Sequence, residues 1–185
     1  MSTCYIGLGA NVGQPREAIE SAIAAIDREP GLRVCARSGL YRSEPVGAQG
    51  PDFLNAVIQI ESSLTPTELL TVLQRIEHEA GRDRPYPNAP RTLDLDLLLV
   101  DELELETPKL TLPHPRMHRR AFVLQPLLDI APDVQIPGKG DTRKLLAACS
   151  DQRMAAAGAI GPTDPSAGAP RQVPNDIAKT LYRAP

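Results

Sequence analysis

Twice in the first hundred residues an extended run gives way to a helical apolar stripe, and that order leaves few folds open. Residues 3–8 (Thr-Cys-Tyr-Ile-Gly-Leu) read as a strand entering the glycine-rich turn Gly9-Ala10-Asn11-Val12-Gly13. Pro15 suits the first turn of a helix, where its missing N–H has no partner to lose. Ala18, Ile19, Ala22, Ile23 and Ile26 then recur at helical spacing until Pro30-Gly31 stops the segment. Strands are predicted at 32–42 and 53–61, separated by the breaker-rich loop 43–51. Thr65-Pro66-Thr67-Glu68 is a capping box with proline at the first helical position. Leu69, Val72, Leu73, Ile76 and Ala80 form the stripe behind it, and Gly81 closes the helix. A basic, proline-rich loop spans 82–91, and a fourth strand covers about 93–100.

Strand, helix, strand, strand, helix, strand is the order of a ferredoxin-like βαββαβ core. The expected fold is therefore α+β, an antiparallel sheet with helices packed on one face. A short extended piece is expected near 103–111 and a last helix around 118–130, with Pro126 against it. The folded domain is expected to end near 150. Residues 151–185 are dominated by Ala, Gly and Pro without an apolar period, and read as a flexible tail with a short helical piece at 176–183.

Composition narrows the function classes. The net charge is -3 and the isoelectric point about 5.6, so bulk electrostatics predicts neither nucleic acid nor an anionic membrane as partner. Cys4, Cys35 and Cys149 are too few and too scattered for a disulfide framework or a structural zinc site. The first residues lack a basic stretch leading into an apolar run, and no segment has the roughly 20 apolar residues of a membrane helix. A cytoplasmic monomer is expected.

The chemistry concentrates in Arg91-Thr92-Leu93-Asp94-Leu95-Asp96-Leu97-Leu98-Leu99-Val100. Strand alternation puts Asp94 and Asp96 on one face, roughly 7 Å apart along the backbone, with Leu98 and Val100 continuing that face. Crowded carboxylates on a partly apolar face repel each other and are costly to desolvate, and a divalent cation relieves both penalties. Alternating D-L-D also describes the solvent side of any amphipathic strand. Context favours the metal reading: Arg82, Arg84 and Arg91 precede the pair, and Lys109, His114, Arg116, Arg119 and Arg120 follow it. Cations on both sides of a metal-binding pair suit a polyphosphate. The Walker pattern G-x-x-x-x-G-K-[ST] is absent. Gly7-Leu8-Gly9-Ala10-Asn11-Val12-Gly13 matches a dinucleotide fingerprint only superficially, and its glycines are read as permitting a tight strand-to-helix turn. Two other classes fit parts of the pattern. One is a different D-x-D transferase. The other is an RNA-recognition module, for which the aromatic signature and basic face are missing.

Several segments together resemble the 6-hydroxymethyl-7,8-dihydropterin pyrophosphokinase family. They are residues 5–13, Leu40 to Gly47, Asp52 to Ala56, Gln74 to Glu77, Gly81-Arg82, Pro90-Arg-Thr-Leu-Asp-Leu-Asp96 and Pro113-His114, so the likeness spans about 3–135. The resemblance implies transfer of pyrophosphate from ATP to the pterin hydroxymethyl group, with Asp94 and Asp96 holding two magnesium ions. It implies that Asn55 reads the pterin's amide edge and that Phe53 and Phe122 sandwich the ring, with backbone contacts from Ser43 and Val46. Arg82 and Arg91 are implied in catalysis. Gln74, Glu77, Arg84, Leu97, Lys109, Thr111, His114 and Arg120 are implied on the ATP side.

Overall fold

The structure is a computed structural model that describes residues 1–45, 50–81 and 92–161. Val46, Arg82, Arg84, Arg91 and the helical piece expected at 176–183 lie outside the described residues.

The sheet is built on β1 (Ser2–Ala10), which pairs antiparallel with β4 (Phe53–Ser62) on one side and β5 (Asp94–Val100) on the other. Beyond β4 lie β2 (Leu32–Arg37) and β3 (Gly39–Ser43). They replace the single predicted strand 32–42. The break falls at buried Ser38, whose Oγ accepts the Val57 N–H at 2.9 Å. Apart from that break, the strand order is that of the ferredoxin-like core. α1 (Pro15–Arg28) and α2 (Pro66–Glu79) pack on one face, burying Ile19, Ile23, Ile26, Leu69, Leu73 and Ile76 against Ile6, Leu8, Ile58, Ile60, Leu95 and Leu97. At the start of α2 the capping box is formed in both directions: Glu68 N donates to Thr65 Oγ1, and Thr65 N donates to Glu68 Oε2 at 2.8 Å.

The expectation of helices on one face needs correcting. α3 (Ala121–Ile130) lies on the opposite face, preceded by a 3-10 turn at Met117–Arg119, and builds a second core with Val57, Leu98 and Leu99. The 103–111 piece is a hairpin of β6 (Leu105–Glu106) and β7 (Thr111–Leu112). A small hairpin of β8 (Gln135–Ile136) and β9 (Gly140–Asp141), then α4 (Thr142–Ala147), complete this side; no local signal had distinguished them.

The predicted tail starts too early. Met154–Ala159 forms β10, which pairs with β3 and becomes the sheet edge. Arg16 of α1 clamps it, donating to the Ala157 and Ala159 carbonyls at 2.9 and 2.8 Å. An Ala- and Gly-rich strand shows no side-chain period because main-chain pairing, not burial, holds it. No helix among the described residues is long and apolar enough to cross a membrane.

Removing the cap hydroxyl with Thr65→Ala is expected to cost about 1 kcal/mol of stability without changing the denaturant slope, as read by urea unfolding.

Candidate active site

Because β1 is central, its residues Cys4 to Gly9 have a partner on both sides, and paired residues share a face. Gly9 pairs with Asn55 and Asp94; Gly7 pairs with Val57 and Asp96. The acidic pair thus stands beside two positions that carry no side chain. Contrary to the expectation of a glycine turn, Gly7 and Gly9 lie within the strand; the turn needs Gly13, whose φ is 69°. A bulge leaves Leu98 unpaired opposite β1, so Leu98 shares the acidic face while Val100 returns to the helix-side core. Above the bare strip opens a cleft of about 870 Å³, counting its mouth, lined among others by Phe53, Asn55, Asp94, Asp96, Arg120 and Phe122.

Asn55 is buried at one end of this strip. Its Nδ2 donates to Ser43 Oγ at 2.9 Å and to the Tyr41 carbonyl at 3.3 Å. Its Oδ1 therefore lies over Gly9, an acceptor suited to a ligand edge that carries N–H groups. Ser43, expected to contribute backbone only, orients this amide through its side chain.

At the other end, Asp94 and Asp96 are half-buried. His114 Nε2 lies 3.9 Å from Asp96 Oδ1, and Arg120 Nη1 lies 4.0 Å from Asp96 Oδ2. Both distances exceed hydrogen-bond length, so these contacts are electrostatic. His114 is held beside the outer edge of β5 by its N–H, which donates to the Leu98 carbonyl at 2.9 Å. Its Nδ1 accepts the Arg116 N–H at 3.2 Å, so Nε2 carries the proton toward Asp96. Burial holds the imidazole below its ordinary pKa; Asp96 pulls it up, and Arg120 and Arg116 push it down again. It is a neutral donor at neutral pH. The Arg120 guanidinium also lies 5.5 Å from the Phe122 ring centroid. Among the described residues no group of three or more His, Cys, Asp or Glu gathers, and Asp94 and Asp96 offer a pair of carboxylates on one face. Such a pair suits a hard divalent cation that takes its remaining oxygens from water and phosphate.

The remaining predicted residues separate. Glu77 is 2% exposed and accepts the Leu95 N–H at 2.8 Å, bracing β5 between the two aspartates. Gln74, three residues earlier, is exposed. The Leu97 side chain is buried with the helix-side core, on the face away from the cleft. Lys109 is exposed and Thr111 half-buried on the β6–β7 hairpin, and neither lines the cleft. Two contributors were missed. The Gly7 and Gly9 strip was legible as G-x-G sharing a parity within a strand. Gln152 carried no signal; its Oε1 accepts the Ala121 N–H and its Nε2 donates to the Arg119 carbonyl, both at 2.8 Å. It brackets Arg120 at the start of α3.

An antiparallel α+β sheet bearing a carboxylate pair, a histidine and an arginine beside it and an aromatic-lined cleft suits a group-transfer enzyme. The chain belongs to the 7,8-dihydro-6-hydroxymethylpterin-pyrophosphokinase family, whose model matches residues 5–132. Among its relatives is a 2-amino-4-hydroxy-6-hydroxymethyldihydropteridine pyrophosphokinase of Pseudomonas aeruginosa, 48% identical over 146 residues, covering 78% of this chain and 90% of that one. A protein of the same name from Haemophilus influenzae is 41% identical over 155 residues, covering 83% of this chain and 97% of that one. A solved HPPK-DHPS structure in complex with substrates superposes with a TM-score of 0.65 over 80% of this chain and 43% of that one; at 11% identity it shows the fold alone.

Glu77→Ala leaves the Leu95 N–H buried without its acceptor and is expected to lower stability by about 1–3 kcal/mol in chemical unfolding. Gln74→Ala, at an exposed site, is expected to change it by less than about 0.5 kcal/mol.

Proposed function

We propose that this protein transfers the pyrophosphoryl group of magnesium-bound ATP to the hydroxymethyl group of 6-hydroxymethyl-7,8-dihydropterin, giving AMP and the pterin diphosphate in a step of folate biosynthesis. The observation that carries this reading is the row Asn55–Gly9–Asp94 across three paired strands. Neighbouring strands are about 4.8 Å apart, so an amide reader and a carboxylate stand roughly 10 Å from each other across a bare main chain. A flat bicyclic ring fits that span with its N–H edge on Asn55 Oδ1 and its hydroxymethyl arm toward Asp94. Phe53 and Phe122, both at the cleft, offer faces for stacking. Val46 joins this group on sequence grounds.

Asp94 and Asp96 are the residues that would hold the magnesium accompanying ATP; two ions are proposed, and their contribution is to neutralise phosphate charge. Arg120 and His114 offer N–H donors beside Asp96 for phosphate oxygens. Arg82, Arg84, Arg91, Lys109 and Thr111 are assigned to the same polyphosphate on sequence grounds. Gln74 is assigned there too. Glu77 acts through the strand it braces, and Leu97 through its main chain. In the reaction the hydroxymethyl oxygen bonds to the β-phosphorus while the bond from that phosphorus to the oxygen bridging to the α-phosphate breaks. AMP leaves with the bridging oxygen, and the hydroxyl proton passes to water. Catalysis is mostly positioning and charge neutralisation, with no dedicated base. The protein acts as a cytoplasmic monomer without nucleic acid.

Product analysis with ATP, magnesium and the hydroxymethyl pterin is expected to give AMP and pterin diphosphate in equal amounts; release of ADP or pyrophosphate would point to another D-x-D transferase. Asp94→Ala and Asp96→Ala are expected to lower kcat by roughly a hundredfold or more while leaving thermal unfolding near that of the parent.

A further inference from the structure

Gly9 occupies a central strand, where glycine is a poor choice: it loses the most backbone freedom on folding and offers nothing to pack. Neither usual reason for a glycine applies. Its backbone is ordinary extended strand, unlike Gly13 with its positive φ. Among the described residues, the only heavy atom outside its chain neighbours within 4 Å of a Cβ built at Gly9 is Asn55 Oδ1, at 3.5 Å, an ordinary contact. The fold by itself accepts alanine here. Gly7 differs, because a Cβ there would pack on the Leu98 side chain at 3.4 Å.

What a Cβ at Gly9 would fill is the cleft. Gly9 is flanked by Asn55 on one strand and Asp94 on the other, and all three line the cavity. The space above it adjoins the acceptor atom that meets the ligand edge. We infer that Gly9 is a specificity-determining position, the bare floor against which an edge of the acceptor substrate's planar ring rests between Asn55 and the acidic pair, its faces left to Phe53 and Phe122. A methyl group there would lift the ring from the strand and turn its N–H edge away from Asn55 Oδ1. ATP, held from the Asp96 side by Arg120 and His114, would not meet it. This inference rests on the acceptor site proposed above.

The test is Gly9→Ala in the full chain, with unfolding temperature, KM for each substrate and direct calorimetric binding of the pterin. The pterin KM and Kd are expected to rise roughly tenfold or more, with the KM for ATP within about twofold and the unfolding temperature equal or higher. Unchanged pterin binding, a parallel loss of ATP and pterin affinity, or a fall in unfolding temperature would each overturn the inference. Wild-type turnover, measured first, separates the two claims. A wild type that forms no AMP overturns the proposed reaction, whereas an active wild type with an indifferent Gly9→Ala overturns the role of Gly9.

Discussion

The pairing of β1 with β4 on one side and β5 on the other is the constraint from which the rest of the molecule follows. Antiparallel partners share a face, so one register decides at once which residues meet α1 and α2 and which face the cleft. A slip of one residue would turn Asp94 and Asp96 into the helix-side core and bring Leu95 and Leu97 out. The Leu98 bulge works within that register. It keeps Leu98 and Leu99 together in the second core with α3 and returns Val100 to the first.

On this frame the polar groups of the cleft are held by neighbours rather than by their own conformational preferences. Ser43 and the Tyr41 carbonyl take up the donors of Asn55, Glu77 receives the Leu95 N–H, and Gln152 brackets Arg120. Each is a hydrogen bond between separate elements; those at Asn55 and beside Arg120 restrain residues that line the cleft, and that of Glu77 holds the strand that carries the two aspartates. Such support makes a site rigid before a ligand arrives and lowers the ordering cost of binding.

Legibility followed range. The capping box at Thr65–Glu68, the stripes of α1 and α2 and the acidic strand were readable because their signals lie within one or two turns or a few strand residues. The break at Ser38 was not, since it depends on the Val57 N–H. Nor was β10, whose alanines and glycines gain their order from the edge of β3 and from Arg16. Glu77 and Gln74 looked equivalent on one helical face, yet only Glu77 reaches β5. Leu97 was drawn to the ligand side by its place in the motif, while strand alternation put its side chain in the core.

By itself the sequence determined the order of strands and helices and the chemical identity of the acidic strand, because periodicity, capping and turn chemistry act over short distances. The tertiary structure alone decided that α3 covers the second face, that Gln152 serves Arg120, and that a bare glycine lies between Asn55 and Asp94. Strand register and packing join residues far apart in the chain, and no local pattern records which partners they will find.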